Sequence, residues 1–330
     1  MEPIHSLYEE LLSPIKDKLE AVEEEISREL NRPDVEVISR MTEYLSKTKG
    51  KRIRPALFLL CSRLLGVKSD RDVPLATVIE FLHTATLIHD DIIDTSDTRR
   101  GKATVNSIWG NELTVLLGDY LYLRSMHIAL TARRIEVLDV LTDITMKLIE
   151  GEMIQLSKRG DIEISEAEYM EIIQRKTAHL FSGCGRIPCI LVDAPDSLAR
   201  GIGDYCFNLG IAFQIVDDIL DFTGEGKVLG KPAASDLSEG TATLPIIYAL
   251  KKTDQSERET VRKIMDNDGA GEDERAQVLE MLRKYGSLDK ARAVAEDYAS
   301  KAVSSLDVFP SSDVKEILTA LPKFVISRSH

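Results

Sequence analysis

Leu-Ala-Thr-Val-Ile-Glu-Phe-Leu-His-Thr-Ala-Thr-Leu-Ile-His-Asp-Asp-Ile-Ile-Asp, residues 75–94, decides the fold of this 330-residue chain. Its apolar side chains recur at three- and four-residue spacing, the period of an α-helix, and they are too dense for a helix lying on a surface. The run ends in an acidic cluster. Residues four apart stack on a helix, so Asp90 and Asp94 share a face. A second apolar run, Leu-Gly-Ile-Ala-Phe-Gln-Ile-Val at 209–216, ends in the same way with Asp217, Asp218 and Asp221. Like charges at this spacing repel, and apolar surroundings make ionisation costlier still. One such cluster reads most simply as a solvated patch. Two of them, each behind an apolar helix, point to carboxylates lining an interior cavity. Mg²⁺ is the natural counter-charge, because it takes one or two carboxylates and leaves its other positions to water and phosphate oxygens. Two such sets around one cavity imply a diphosphate held by several metal ions.

The same period runs through almost the whole chain, with no convincing alternating stretch, and predicts an all-α fold. Helices are expected over about 5–30, 35–48, 55–65, 73–95, 111–130, 134–157, 165–182, 196–222, 242–252, 255–266, 273–285, 288–306 and 312–327. Ser165 with Glu168 forms a capping box at one start. No linker or low-complexity tract divides these segments. The expectation is therefore a single domain, residues 1–330, built as a bundle of about 10–13 helices around a deep central cavity.

Composition excludes several partners. A net charge of −13 opposes binding to nucleic acid, which needs a basic face. No polybasic tract favours an anionic membrane, and no apolar run approaches the roughly 18 residues needed to span one. The first residues carry no signal-peptide pattern, so a cytoplasmic location is expected. Cys61, Cys184, Cys189 and Cys206 lack Cys-x-x-Cys spacing and read as reduced core residues.

Metal ions alone do not balance diphosphate charge, so dedicated cations are expected too. Gly-Lys-Arg-Ile-Arg-Pro at 50–55 supplies Lys51, Arg52 and Arg54. Arg99 and Arg100 follow the first cluster closely, and arginine grips phosphate oxygens as a fork. Lys176 and Thr177 sit near a helix end, and Gln214 lies on the carboxylate face of its helix. His83 and His89 flank the first cluster, where core histidines are the ordinary expectation. The glycine-rich stretch 224–240, with Lys227 and Lys231, is longer than most bundle loops and reads as a lid.

Taken in order, these segments resemble the trans-isoprenyl diphosphate synthases, or polyprenyl synthetases, of the long-chain type. The matching segments are Gly-Lys-Arg-Ile-Arg-Pro at 50–55, Leu-His-Thr-Ala-Thr-Leu-Ile-His-Asp-Asp-Ile-Ile-Asp at 82–94 and Asp-Thr-Arg-Arg-Gly at 97–101. Gly-Glu-Met-Ile-Gln-Leu at 151–156, Lys-Thr-Ala-His-Leu-Phe at 176–181 and Phe-Gln-Ile-Val-Asp-Asp-Ile-Leu-Asp at 213–221 follow. Leu-Gly-Lys at 229–231 and Ser-Asp at 235–236 complete the set, so the motif-bearing core spans about 45–250.

The resemblance implies the isoprenoid synthase fold, a homodimer, and condensation of isopentenyl diphosphate with an allylic diphosphate such as farnesyl or geranylgeranyl diphosphate. Asp90 and Asp94, supported by Asp91, would bind Mg²⁺, and Asp217 would bind a further ion with Asp218 and Asp221 beside it, about three ions in all. Arg99, Lys176 and Lys231 would hold the allylic diphosphate. Lys51, Arg54, His83 and Arg100 would hold isopentenyl diphosphate. Thr177 and Gln214 would direct oxygen dipoles at the developing carbocation. In this family a bulky aromatic one turn before the first cluster closes the pocket. Here Ala85 and Thr86 are small and Leu82, Ile79 and Val78 continue the face, with Met126, Ile128 and Ala129 as a floor. The expected product is a polyprenyl diphosphate of about seven to ten isoprene units, C35–C50, for quinone side chains. A geranylgeranyl-length synthase, a terpene cyclase and a non-catalytic subunit are the alternatives. Two complete acidic clusters and a second set of cations weigh against the last two.

Overall fold

The computed structural model describes residues 11–32, 34–47, 50–99, 101–223, 234–266 and 271–327. The helices are α1 (Lys16–Leu30), α2 (Glu36–Ser46), α3 (Ile53–Leu64), α4 (Asp72–Ile93), α5 (Val105–Trp109), α6 (Asn111–Leu130), α7 (Ile135–Ser157) and α8 (Glu166–Ile173). After these come α9 (His179–Leu191), α10 (Asp196–Thr223), α11 (Ser235–Ser238), α12 (Leu244–Leu250), α13 (Gln255–Asp266), α14 (Glu272–Tyr285), α15 (Ser287–Ser305) and α16 (Asp313–Ser327). Strands β1 (Thr98–Arg99) and β2 (Lys102–Ala103) form a short antiparallel hairpin. The fold is all-α, as the periodicity predicts.

The chain forms two compact units, one of residues 1–145, 182–203 and 306–318, the other of 146–181, 204–305 and 319–330. In the first, α4 is the central helix and packs against α1, α3 and above all α6. Val78 and Ile79 of α4, Leu121 of α6, and Leu141 and Ile144 of α7 are completely buried. Gly118 permits the closest approach: a Cβ there would sit 2.2 Å from Nε2 of His89. His89 accordingly lies against α6, its ring within 3.2 Å of the Val115 carbonyl, and is a packing residue. In the second unit, α12 is buried along its whole length and packs on α14 and α15. Ala291, Ala295, Ala299 and Ala302 make the small-residue face of α15. All four cysteines are free and buried.

Several elements depart from the sequence expectation. The helix expected over 165–182 is interrupted by a π-helical turn, Gln174–Ala178. It then resumes as α9 and runs through Pro188 to Leu191. Pro188 removes one backbone hydrogen bond within α9, between the buried Ile187 and Cys189. Short α5 and the β1–β2 hairpin carry too few residues for any period to register. The Ser165–Glu168 capping box forms as expected, with Ser165 Oγ accepting from Glu168 N–H and Glu168 accepting from Ser165 N–H.

Candidate active site

The first acidic cluster occupies the end of α4. Asp94 is the C-cap, and Thr95 follows with φ of 50°. Ser96 N–H bonds to the Asp91 carbonyl and Thr95 N–H to the Ile92 carbonyl, the double closure of a Schellman ending. A β-branched residue in the left-handed region is strained, and such strain gathers at functional positions. Asp90, Asp91 and Asp94 thus crowd the last turn, where the helix dipole already presents negative charge.

Within this turn the three carboxylates diverge. Asp90 and Asp94 are half-buried. Asp91, about 100° round the helix, is 5% exposed and accepts a 2.7 Å hydrogen bond from Arg99 Nε. Asn106 Nδ2 donates to the Ser96 carbonyl at 3.2 Å, fastening the segment that follows. Asp91 therefore holds Arg99 in place beside the cluster. Asn106 contributes without having drawn notice in the sequence, because its role depends on the turn at Thr95.

The basic segment before α3 separates by role. Arg52 adopts a left-handed backbone with φ of 51°. Its guanidinium bonds Glu80 on α4 at 2.6 Å and Glu23 on α1 through two nitrogens. Burial opposes its charge, but the two glutamates outweigh that and raise its pKa above the ordinary value. Arg52 is thereby committed to the fold. Lys51 is exposed and Arg54 half-buried, on either side of it. His83 is half-buried about two turns before Asp90, and Ile79, Leu82 and Ala85, expected from the sequence to form the wall, are all buried. Thr86 is half-buried, its hydroxyl bonded to the His83 carbonyl at 2.8 Å. Ile128 and Ala129 are buried and Met126 half-buried.

The second unit carries the other cluster in the last two turns of α10, again at a helix C-terminus. Asp217 and Asp221 are half-buried and Asp218 is 3% exposed. Asp218 Oδ2 accepts from the Tyr169 hydroxyl at 2.6 Å and Oδ1 from Gln214 Nε2 at 2.9 Å. Burial pushes its carboxyl up to about 7, with the charges of Asp217 and Asp221 adding and the two hydrogen bonds opposing. Asp221 accepts from Ser235 Oγ at 2.7 Å and from the backbone N–H groups of Ser235 and Asp236. Burial raises its pKa against those bonds.

Lys176 and Thr177 both lie in the π-helical turn, a feature frequent at functional sites. Lys176 Nζ pairs with Glu152 and bonds Gln155 Oε1 at 3.1 Å. Both partners belong to the Gly-Glu-Met-Ile-Gln-Leu segment, and Gly151 lets it come close: a Cβ there would lie 2.7 Å from Arg175 Cβ. The Thr177 hydroxyl donates to Gln214 Oε1 at 2.7 Å. The Gln214 carbonyl is thus engaged by the Thr177 hydroxyl. Gly210 makes this meeting possible, since a Cβ on it would stand 2.8 Å from Ala178 Cα and 2.9 Å from Phe181 Cβ. Gly210→Ala is expected to cost about 1–3 kcal/mol of stability through overpacking and to lower turnover. Denaturant unfolding checks the first effect and steady-state kinetics the second.

Arg100 and Lys231 lie outside the described residues, as do Lys227 and residues 224–233 of the glycine-rich stretch.

A family profile, "Polyprenyl synthetase", matches residues 35–282. The chain belongs to the polyprenyl synthetase family. It is 37% identical over 314 residues to an octaprenyl diphosphate synthase of Haemophilus influenzae, covering 94% of each chain. Identity to a geranylgeranyl diphosphate synthase of Sulfolobus acidocaldarius is also 37%, over 89% of this chain and 92% of that one. A polyprenyl synthase of Caulobacter crescentus, solved with calcium and isoprenyl diphosphate, superposes with a TM-score of 0.92 at 35% identity over 97% of both chains. As a member of this family the protein is an enzyme, a trans-prenyltransferase with the isoprenoid synthase fold.

Proposed function

We propose that this polyprenyl synthetase condenses isopentenyl diphosphate with an allylic diphosphate, farnesyl or geranylgeranyl, into an all-trans polyprenyl diphosphate of about C35–C50. The observation that carries this reading is the placement of carboxylate pairs, Asp90 with Asp94 and Asp217 with Asp221, at two helix C-termini. Among the described residues no three acidic, histidine or cysteine side chains converge into a metal cage. Pairs of carboxylates standing against a helix dipole fit Mg²⁺, which keeps most of its coordination for water and substrate phosphates. About three ions per site are proposed on this donor set. When bound, Mg²⁺ supplies positive charge to the departing diphosphate.

The chain's own residues do the rest. Arg99 and Lys176, with Lys231, hold the allylic diphosphate as its C–O bond breaks and the electron pair leaves with the diphosphate. Lys51, Arg54 and His83, with Arg100, fix isopentenyl diphosphate so that its double bond attacks the allylic carbon. Thr177 presents its oxygen to the developing positive charge. A proton is then lost to the released diphosphate, and the new alkene forms. Asp218 and Asp91 serve as holders of Gln214, Tyr169 and Arg99.

We place both compact units in one synthase domain working in the cytoplasm as a homodimer. Support comes from the surface. Leu116, Leu123 and Leu130 are 62%, 64% and 50% exposed at seven-residue spacing along α6. Ile135, Met146, Ile149, Met153 and Leu156 are exposed on one face of α7. Apolar stripes of this length fit a protein partner better than water. No helix among the described residues is long and apolar enough to cross a membrane. A product of this size suits a quinone side chain.

The test is incubation with Mg²⁺, farnesyl diphosphate and labelled isopentenyl diphosphate, followed by sizing of the dephosphorylated products. A ladder ending in one long prenol is expected. A stop at four units would retain the reaction and assign geranylgeranyl length. Absence of incorporation would sink the reading.

A further inference from the structure

Tyr169 stands on α8, five residues before the π-helical turn, with only 3% of its surface exposed. Its hydroxyl ends on a carboxylate just as buried, that of Asp218. In the structure both of its described partners donate to it, Tyr169 through the hydroxyl and Gln214 through Nε2. This settles the Gln214 amide: its NH₂ faces Asp218 Oδ1 at 2.9 Å, and its carbonyl faces Thr177. Thr177 then spends its single hydroxyl proton on Gln214 Oε1, and its lone pairs stay available as acceptors. The hydrogen bonds converge on Asp218, from Tyr169 on one side and from Thr177 through Gln214 on the other, and bonds in such a chain polarise one another.

We infer that Tyr169 is a positioning residue for prenyl transfer, holding the Asp218–Gln214–Thr177 chain so that Thr177 presents oxygen lone pairs, and not its proton, to the reacting carbon. The inference rests on the prenyltransferase reading above. Without the phenol hydroxyl, Asp218 loses one of two donors and turns toward the other. The Gln214 amide is then free to rotate, and the Thr177 hydroxyl loses its fixed direction. Binding of diphosphates has no need of this order, whereas the charge-developing step does.

Tyr169→Phe in the full-length protein tests this, since the ring and its packing are kept. kcat is expected to fall about tenfold to a hundredfold, the loss of one buried hydrogen bond's orienting effect. KM for both substrates should stay within about twofold. Calorimetric binding of inorganic diphosphate with Mg²⁺ should be unchanged, as should the melting temperature to within a few degrees. In a double-mutant cycle, Tyr169→Phe should cost almost nothing in a Thr177→Val background, because the oxygen it serves is gone. Losses that multiply in the double variant would overturn the inference, as would a wild-type kcat. A loss confined to KM, diphosphate binding or melting temperature would also overturn it, by making Tyr169 merely structural. If the wild-type protein itself incorporates no isopentenyl unit, the prenyltransferase reading fails and this inference with it.

Discussion

Replacement of Asp90 or Asp217 by alanine is expected to lower turnover about a thousandfold while leaving helicity unchanged. Each residue stands near the end of a long helix, beside a second carboxylate one turn on and against the negative end of the helix dipole. Such charges are a burden on the fold unless cations neutralise them. Removing one therefore relieves repulsion, and stability without Mg²⁺ should change by less than about 1 kcal/mol. The effect with ligand runs the other way. Wild-type protein should melt higher in the presence of Mg²⁺ and diphosphate, since both bind only the folded chain, and the variants should lose most of that shift. Circular dichroism, melting curves and product formation read all three quantities. Near-normal turnover in either variant, with helicity intact, would remove the aspartates from the metal site.

Ala85→Tyr is expected to shorten the product from about seven to ten isoprene units to about four or fewer, while condensation itself continues. Ala85 lies on α4 one turn and a fraction before Asp90, and only 3% of it is exposed. Leu82 and Ile79, on the same helix, are more deeply buried still. A phenol at 85 has no route to solvent and must take up the space beside that wall, where a growing apolar chain would otherwise run. Overpacking of this kind costs about 1–3 kcal/mol, small enough for folded protein to be assayed. Chromatography of the dephosphorylated products checks it. An unchanged ladder would take Ala85 out of the wall.

The helical order was legible because burial imposes a period that the spacing of apolar residues reveals. For α4, α6 and α10 the apolar spacing places the helix to within a residue or two. The π-helical turn at Gln174–Ala178 was not legible. One residue inserted into a helix leaves almost no mark on the apolar period, and the close approaches to this turn come from Gly151 and Gly210, distant along the chain. Likewise Arg52 and Arg54 are the same amino acid two positions apart. Only the meeting of α1 and α4 turns Glu23 and Glu80 onto Arg52.

Glu152 and Tyr169 show the same limit. Glu152 sits inside the Gly-Glu-Met-Ile-Gln-Leu segment with no local pattern to mark it, and Tyr169 carries no signal beyond its spacing of two turns from Lys176. Each acquires meaning from a partner distant along the chain.

In both acidic clusters, the chemistry of the ends and of the middle followed different sources. That Asp90 pairs with Asp94, and Asp217 with Asp221, is a property of 3.6 residues per turn and needs no neighbours. The fold class and the reaction class were contained in that local arithmetic and in the ordered motifs. The fate of Asp91 and Asp218, one on Arg99 and the other on Tyr169 and Gln214, was decided by tertiary structure, as was the orientation of Thr177. The physical reason is that helix period is short-ranged and written residue by residue, whereas the partner of a buried polar group is set by which helices meet and how closely.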